Sequence, residues 1–280
     1  MSSAPIGVFD SGIGGLSVLR HLHRLLPCED LIYVADSAHA PYGDRSPHEI
    51  QARAEEITRF LTGQGCKLVV MACNTATAAA AGTVRAASPV PVIGVEPGVK
   101  PAAMATRNGV VGILATRGTL QSAKYGHLVN RFGREITLIS QICDGLANQV
   151  EAGQTTSPAT RSLLRRYLAP IMERGADTLA LGCTHYPFLI PLIREILGPG
   201  VTIIDTGGAV ARQALRQLRE ENLHPDTQRH GGLSVFTSGD RERVARQMEA
   251  FWEGATNLHP LPSIAPPAIP FQAEKISSPA

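Results

Sequence analysis

Short apolar runs without polar alternation recur along this chain and are separated by stretches whose apolar residues return every three or four positions. Ile6–Phe9 is the first such run. Leu16, Leu19, Leu22 and Leu26 then fall toward one side of a helix beginning near Gly15 and stopped by Pro27. Leu31–Ala35 predicts a second strand. Ser46-Pro47-His48-Glu49 then combines an N-cap serine, a proline at the first helical position and a glutamate at the third, opening a helix that buries Ile50, Ala54, Ile57 and Leu61. Further strands are predicted at Leu68–Ala72, Val92–Val95, Val110–Leu114, Ile136–Ile139, Thr178–Leu181, Thr202–Ile204 and Ser234–Phe236, most of them separated by helical patterns. Strands that are apolar on both faces suit parallel sheets covered by helices, so the fold class is α/β. Ligands in such folds bind beyond the carboxyl ends of the strands.

Two pieces of the pattern occur twice. Ile6-Gly7-Val8-Phe9-Asp10-Ser11 is echoed by Val111-Gly112-Ile113-Leu114-Ala115-Thr116, and Val70-Met71-Ala72-Cys73-Asn74-Thr75 by Ala180-Leu181-Gly182-Cys183-Thr184-His185; Val111 lies 105 residues after Ile6 and Ala180 lies 110 after Val70. Such similar offsets predict two pseudo-symmetric lobes with the active site in the cleft between them. The first lobe is expected over 1–97 plus 208–254 and the second over 98–207, with crossings near Pro97 and Gly207. A proline-rich tail, expected to be partly disordered, covers 255–280.

The 280 residues and 44% hydrophobic content are enough for a substantial core, and a formal charge of +2 without a basic block gives nucleic acid no place as a main partner. The start of the chain leaves no room for a signal peptide, and no apolar run reaches the ~20 residues of a membrane helix. Five cysteines without a C-x-x-C pair argue against a disulfide framework or a zinc ribbon. A reducing cytoplasm fits.

Cys28, Cys66 and Cys143 are read as small buried hydrophobes. Cys73 and Cys183 each stand at the end of an apolar strand and ahead of a helix, where backbone N–H groups and a positive dipole end are expected to lower a thiol pKa. Two thiols from matching positions of two lobes can take a proton from one face of a carbon and return one to the other, inverting a stereocentre. Ser11, Asn74, Thr75 and Thr184 are suitable donors for the carbanion's spreading charge. Asp10 is either a helix cap or a catalytic group, His185 either structural or a proton relay beside Cys183, and Tyr42-Gly43 either a turn or part of the site. Gly12-Ile13-Gly14-Gly15 lacks dinucleotide-binding spacing because Ser17 holds the final glycine position, and it reads as a tight turn opening a helix. The four lysines are poorly placed for a pyridoxal Schiff base and no metal ligands cluster, so no cofactor and no metal are expected.

Asp10-Ser11-Gly12-Ile13-Gly14-Gly15, Pro41-Tyr42-Gly43, Ala72-Cys73-Asn74-Thr75 and Gly182-Cys183-Thr184-His185 resemble, in order and spacing, the motifs of the glutamate racemases of the aspartate/glutamate racemase family, over roughly residues 5 to 255. The resemblance implies a cofactor-independent enzyme that interconverts L- and D-glutamate for peptidoglycan. Cys73 would remove the α-proton of D-glutamate and Cys183 that of L-glutamate, with Asp10 and His185 assisting. Substrate would be held by Asp10, Ser11, Tyr42, Gly43, Asn74, Thr75, Thr184 and His185, with Thr116 and Thr119 as further contacts and Glu151 as an auxiliary carboxylate near His185. The sequence departs from the family pattern at Ala115, where glycine is commoner, and at Cys143-Asp144-Gly145-Leu146, where a proline is usual. The resemblance also implies a homodimer, and the short segment before the first strand implies no activator control of the kind that needs an N-terminal extension. Competing readings are a racemase of aspartate or a hydantoin, a decarboxylase or cis-trans isomerase on this scaffold, a non-catalytic amino-acid-binding protein, and a redox disulfide between the two cysteines.

Overall fold

The computed structural model describes residues 4–133, 135–225, 229–254 and 256–262. Ten strands are present among them: β1 Ile6–Asp10, β2 Leu31–Ala35, β3 Leu68–Met71, β4 Val92–Gly94, β5 Val110–Ala115, β6 Thr137–Ile142, β7 Thr178–Gly182, β8 Thr202–Ile204, β9 Leu233–Thr237 and β10 Asn257–Pro260. The helices are α1 Leu16–Leu25, α2 Pro47–Gly63, α3 Asn74–Ala87, α4 Val99–Ala105, α5 Arg117–Leu120, α6 Ala123–Phe132, α7 Leu146–Glu151, α8 Pro158–Glu173, α9 Ile190–Leu197, α10 Gly207–Glu220 and α11 Arg241–Phe251. None is long and apolar enough to cross a membrane.

All strand pairs are parallel. One sheet has the order β10-β9-β2-β1-β3-β4 and the other β6-β5-β7-β8. The run β2-β1-β3-β4 of the first sheet therefore repeats as β6-β5-β7-β8 in the second, and the two echoed sequence pairs fall on equivalent strands. Cys73 follows β3 and Cys183 follows β7, each on the strand paired to the central one of its set. That equivalence brings both cysteines to the carboxyl edges of their sheets.

The capping box opens α2 as the sequence predicts: the Ser46 hydroxyl accepts the Glu49 N–H, and the Glu49 carboxylate accepts from Ser46 N–H. The predicted stripe of Ile50, Ala54, Ile57 and Leu61 is buried. The largest apolar cluster crosses from one sheet to the other, joining Leu16, Leu19 and Leu22 of α1 to Val210, Ala214 and Leu218 of α10 and to Leu179, Leu189 and Ile193 of the second sheet's layers. Truncating one such fully buried leucine to alanine costs roughly 2–5 kcal/mol. Where the chain passes between sheets, a Cβ on Gly182 would lie 2.9 Å from Pro97 Cβ, and one on Gly98 would lie 3.2 Å from Thr206 Cγ2. The two passages thus run side by side.

Two details differ from the sequence reading. β6 begins and ends further along than Ile136–Ile139, because its register follows β5 up to the Ala115–Ile142 pair. Asn257–Pro260, inside the expected tail, pairs with β9 as an edge strand, where the missing N–H of Pro260 is tolerated. The rest of that tail, 263–280, lies outside the described residues.

Candidate active site

One small cavity at the carboxyl edges of both sheets is lined by Ser11, Cys73, Asn74 and Thr75 from one side and by Thr116, Cys183, Thr184 and His185 from the other, with Pro41-Tyr42-Gly43 and Ala147 completing the wall. Its volume of about 10 Å³ is room for roughly one water, so an amino acid is admitted only when these walls part.

On the first side, β3 delivers Cys73 as the N-cap of α3, and its sulfur accepts the Ala76 N–H at 3.4 Å. Ser11 Oγ lies 3.9 Å from that sulfur and 3.3 Å from Asp10 Oδ1. The sequence predicted a lowered thiol pKa here. The structure gives the opposite: burial pushes the Cys73 thiol well above its ordinary value, the Asp10 carboxylate adds to this, and the Ala76 N–H only partly opposes it. One helix-end dipole does not outweigh complete desolvation. Burial likewise raises Asp10, against the pull of His185. Its Oδ2 accepts from Gly15 N–H at 2.5 Å and from Thr184 Oγ1 at 3.2 Å, so Asp10 both closes the turn into α1 and ties the two sides together.

On the second side, Cys183 follows β7, but a 3-10 turn, Tyr186–Leu189, separates it from α9. The expected helix N-terminus is therefore displaced from this sulfur. Its neighbour is instead an imidazole, His185 Nδ1, at 3.6 Å. His185 Nε2 meets Glu151 Oε1 at 2.7 Å. Burial works against charge on His185, yet the contacts to Cys183 and Glu151 outweigh it and hold the imidazole protonated well above its ordinary range. Glu151 is buried too, but the hydrogen bond and charge of His185 keep its carboxyl below the usual value. Gly145, at φ 78, turns the chain into α7, at whose end Glu151 stands.

The glycine cluster does more than turn the chain into α1. A Cβ on Gly12 would lie 1.9 Å from Glu151 Oε1 and one on Gly14 2.5 Å from His185 Nδ1, so the imidazole and carboxylate reach their places only because these positions are bare.

Thr75, Thr116 and Thr119 form a hydroxyl triangle, with Oγ1 separations of 2.9, 3.0 and 3.3 Å, that bridges the two sides. Gly43 packs beside Thr116, where an added Cβ would stand 3.3 Å from Thr116 Cβ. Tyr42 is buried and donates its hydroxyl to Asp36 at 2.5 Å, while Arg53 holds Asp36 through Nε at 2.9 Å and Nη2 at 2.8 Å. Asp36 and Arg53 have no motif of their own, and pairing across the loop from β2 to α2 was invisible in the sequence. Asn74 is buried with both Nδ2 and Oδ1 lacking a partner among the described residues, which leaves its amide available to a substrate's polar groups. Of the other cysteines, Cys66 and Cys143 are buried as expected, whereas Cys28 is half-buried.

The arrangement can hold a small polar molecule between two thiols, one beside a carboxylate and the other beside an imidazolium. Similarity to known proteins agrees with that chemistry. The sequence pattern of the Asp/Glu/Hydantoin racemase family matches residues 6–214. The glutamate racemase of Methylococcus capsulatus is 51% identical over 259 residues, covering 92% of this chain and 96% of the relative. That of Ectopseudomonas mendocina is 53% identical over 244 residues, covering 87% and 92%. The crystal structure of a glutamate racemase isoform from Bacillus anthracis superposes with a TM-score of 0.86 at 32% identity, covering 94% of this chain and 98% of that one. With its duplicated sheets, its paired strand-end cysteines and this extent of similarity, the chain belongs to the Asp/Glu/hydantoin racemase family.

Proposed function

We propose that this chain interconverts L- and D-glutamate by two-base proton transfer, supplying D-glutamate for peptidoglycan synthesis. The observation that carries the chemistry is the convergence of Cys73 and Cys183, from equivalent strand ends, on one cavity. The choice of glutamate rests on relatives that are called glutamate racemases and are 51–53% identical to it.

In the L-to-D direction, the Cys183 thiolate takes the α-proton. The electron pair left on the α-carbon spreads into the adjacent carboxylate, and the Cys73 thiol delivers its own proton to the opposite face. The reverse reaction exchanges the roles. His185, protonated and held by Glu151, stabilises negative charge on Cys183; Asp10 faces the Cys73 thiol and serves its proton transfer. Asn74, with Ser11, Thr75 and Thr184, supplies donors to the developing charge, and Tyr42, Gly43, Thr116 and Thr119 shape the wall. A raised Cys73 value and a protonated His185 correspond to the form that accepts L-glutamate first.

The two lobes are taken as 1–97 with 208–254, and 98–207. A cytoplasmic setting suits five free cysteines, and a homodimer is the assembly the family resemblance implies.

The test is solvent exchange. Metal-free, pyridoxal-free protein in deuterium oxide is expected to incorporate deuterium at the α-carbon of glutamate while racemising it. Cys73→Ala and Cys183→Ala are each expected to lose racemisation by a factor of about 10² to 10⁴. Absence of exchange in the unaltered protein would overturn the mechanism. Turnover of aspartate with none of glutamate would overturn the substrate.

A further inference from the structure

Glu151 holds His185, and its own carboxylate is held from three directions. Oε1 accepts from Ile13 N–H at 2.9 Å and meets the imidazole at 2.7 Å. Gln247 Nε2 reaches the other oxygen, Oε2, at 3.2 Å and also donates to the main-chain carbonyl of Glu151. Gln247 lies on the buried face of α11, between Val244, Met248 and Phe251. Both Glu151 atoms it meets are acceptors, so the amide must present its NH₂ group; the reversed amide would set a carbonyl against a carboxylate.

That orientation leaves Gln247 Oε1 buried without a partner among the described residues. An amide with one end unsatisfied is a costly choice for a helix face otherwise filled by apolar side chains. A methionine of similar length would fill the same position at lower cost to the fold. What methionine could not supply is the N–H that fixes one oxygen of Glu151 and turns the other toward His185.

We propose that Gln247 is a positioning residue for proton transfer at Cys183, acting through Glu151 and His185. This rests on the reading of His185 as the partner of Cys183. No residue of α11 lines the cavity itself, so the effect of Gln247 on the chemistry must pass through Glu151.

Because the two glutamate enantiomers are equal in energy, any variant must change kcat/KM equally in both directions. The α-deuterium isotope effects need not change equally. Weakening Cys183 makes its transfer more rate-limiting, so the effect grows with deuterated L-glutamate and shrinks with deuterated D-glutamate. In the full chain, Gln247→Met is expected to lower kcat/KM about tenfold. It should also separate the two isotope effects by about twofold in that sense, with the thermal unfolding midpoint unchanged or raised. Glu151→Gln is measured in parallel. If Glu151→Gln separates the isotope effects and Gln247→Met does not, the proposal fails while the role of His185 stands. If neither separates them, both fail. A lowered unfolding midpoint with unseparated isotope effects assigns Gln247 to stability alone and also overturns the proposal. Should the methionine variant not fold, Gln247→Leu, which also removes the donor and sets no new acceptor against Glu151, carries the same readout.

Discussion

The two halves of the site occupy equivalent places in a repeated topology and are chemically unlike. Around Cys73 the sulfur meets one helix N–H, a distant serine hydroxyl and a buried carboxylate whose own value is raised. Around Cys183 it meets an imidazole whose charge is fixed by a second carboxylate, and that carboxylate is anchored in turn by Ile13 and Gln247. The duplication placed two thiols symmetrically, and divergence gave one the surroundings of a proton donor and the other those of a base. A racemase needs both states at once, so the asymmetry is what makes a symmetric pair useful.

The strongest way to break this comparison is to remove the cation. His185→Asn is expected to lower kcat/KM by about 10² to 10⁴ in both directions while enlarging the α-deuterium isotope effect from L-glutamate relative to D-glutamate. Asp10→Asn should tilt the isotope effects the opposite way. Steady-state rates with protonated and deuterated enantiomers decide it, and matching tilts for the two variants would erase the distinction between the halves.

A bare backbone position tests the same distinction sterically. Gly14→Ala places a methyl group 2.5 Å from His185 Nδ1, so the imidazole must shift away from Cys183. Overpacking of this kind costs the fold about 1–3 kcal/mol, and displacing the imidazole from Cys183 is expected to lower kcat/KM roughly tenfold to hundredfold. The isotope effects should tilt as for His185→Asn. Unchanged kinetics would mean that the histidine is not held where it acts.

Much of this was legible in advance, for reasons particular residues make plain. The strands announce themselves because both faces of each are buried, so Leu68-Val69-Val70-Met71 and Thr178-Leu179-Ala180-Leu181 read as apolar runs. The cysteines stand out because the runs end on them. Gln247 and Arg53 were missed because each acts through a partner far away in sequence, on helices whose patterns look ordinary. The thiol pKa was misjudged because sequence reveals a helix start but not the depth of burial around it.

A gentler probe of the Cys183 half is pH. The folded value of His185 lies above the unfolded ~6.5, so its ionisation stabilises the fold fully below that pH. The contribution is lost as pH rises toward the folded value, with a slope of up to about 1.4 kcal/mol per pH unit. Denaturant unfolding at several pH values above 6.5, in a Cys183→Ala background where no thiolate offsets the imidazole's proton, should show a steeper decline with His185 present than with His185→Asn. Asp10, raised by burial, contributes a decline of the same sign that begins near ~3.9, below the onset of the His185 window. Parallel curves above 6.5 would show that His185 carries no extra proton in the fold.

The smallest effect is expected at the ties between the sides. The Cys183 half is bound across the cleft by charged and buried groups, Glu151 to Ile13 and Asp10 to Thr184. A second kind of tie is the neutral triangle of Thr75, Thr116 and Thr119. Each hydroxyl bond of that kind is worth about 0.5–1.5 kcal/mol net. A cavity of about 10 Å³ must widen for glutamate, and the neutral tie is the one that opens at least cost. Thr116→Val should therefore change KM and kcat by less than about tenfold, and it should leave the two isotope effects as close together as in the unaltered protein. Separated isotope effects in this variant would show that the triangle serves one thiol's chemistry and not the opening of the site.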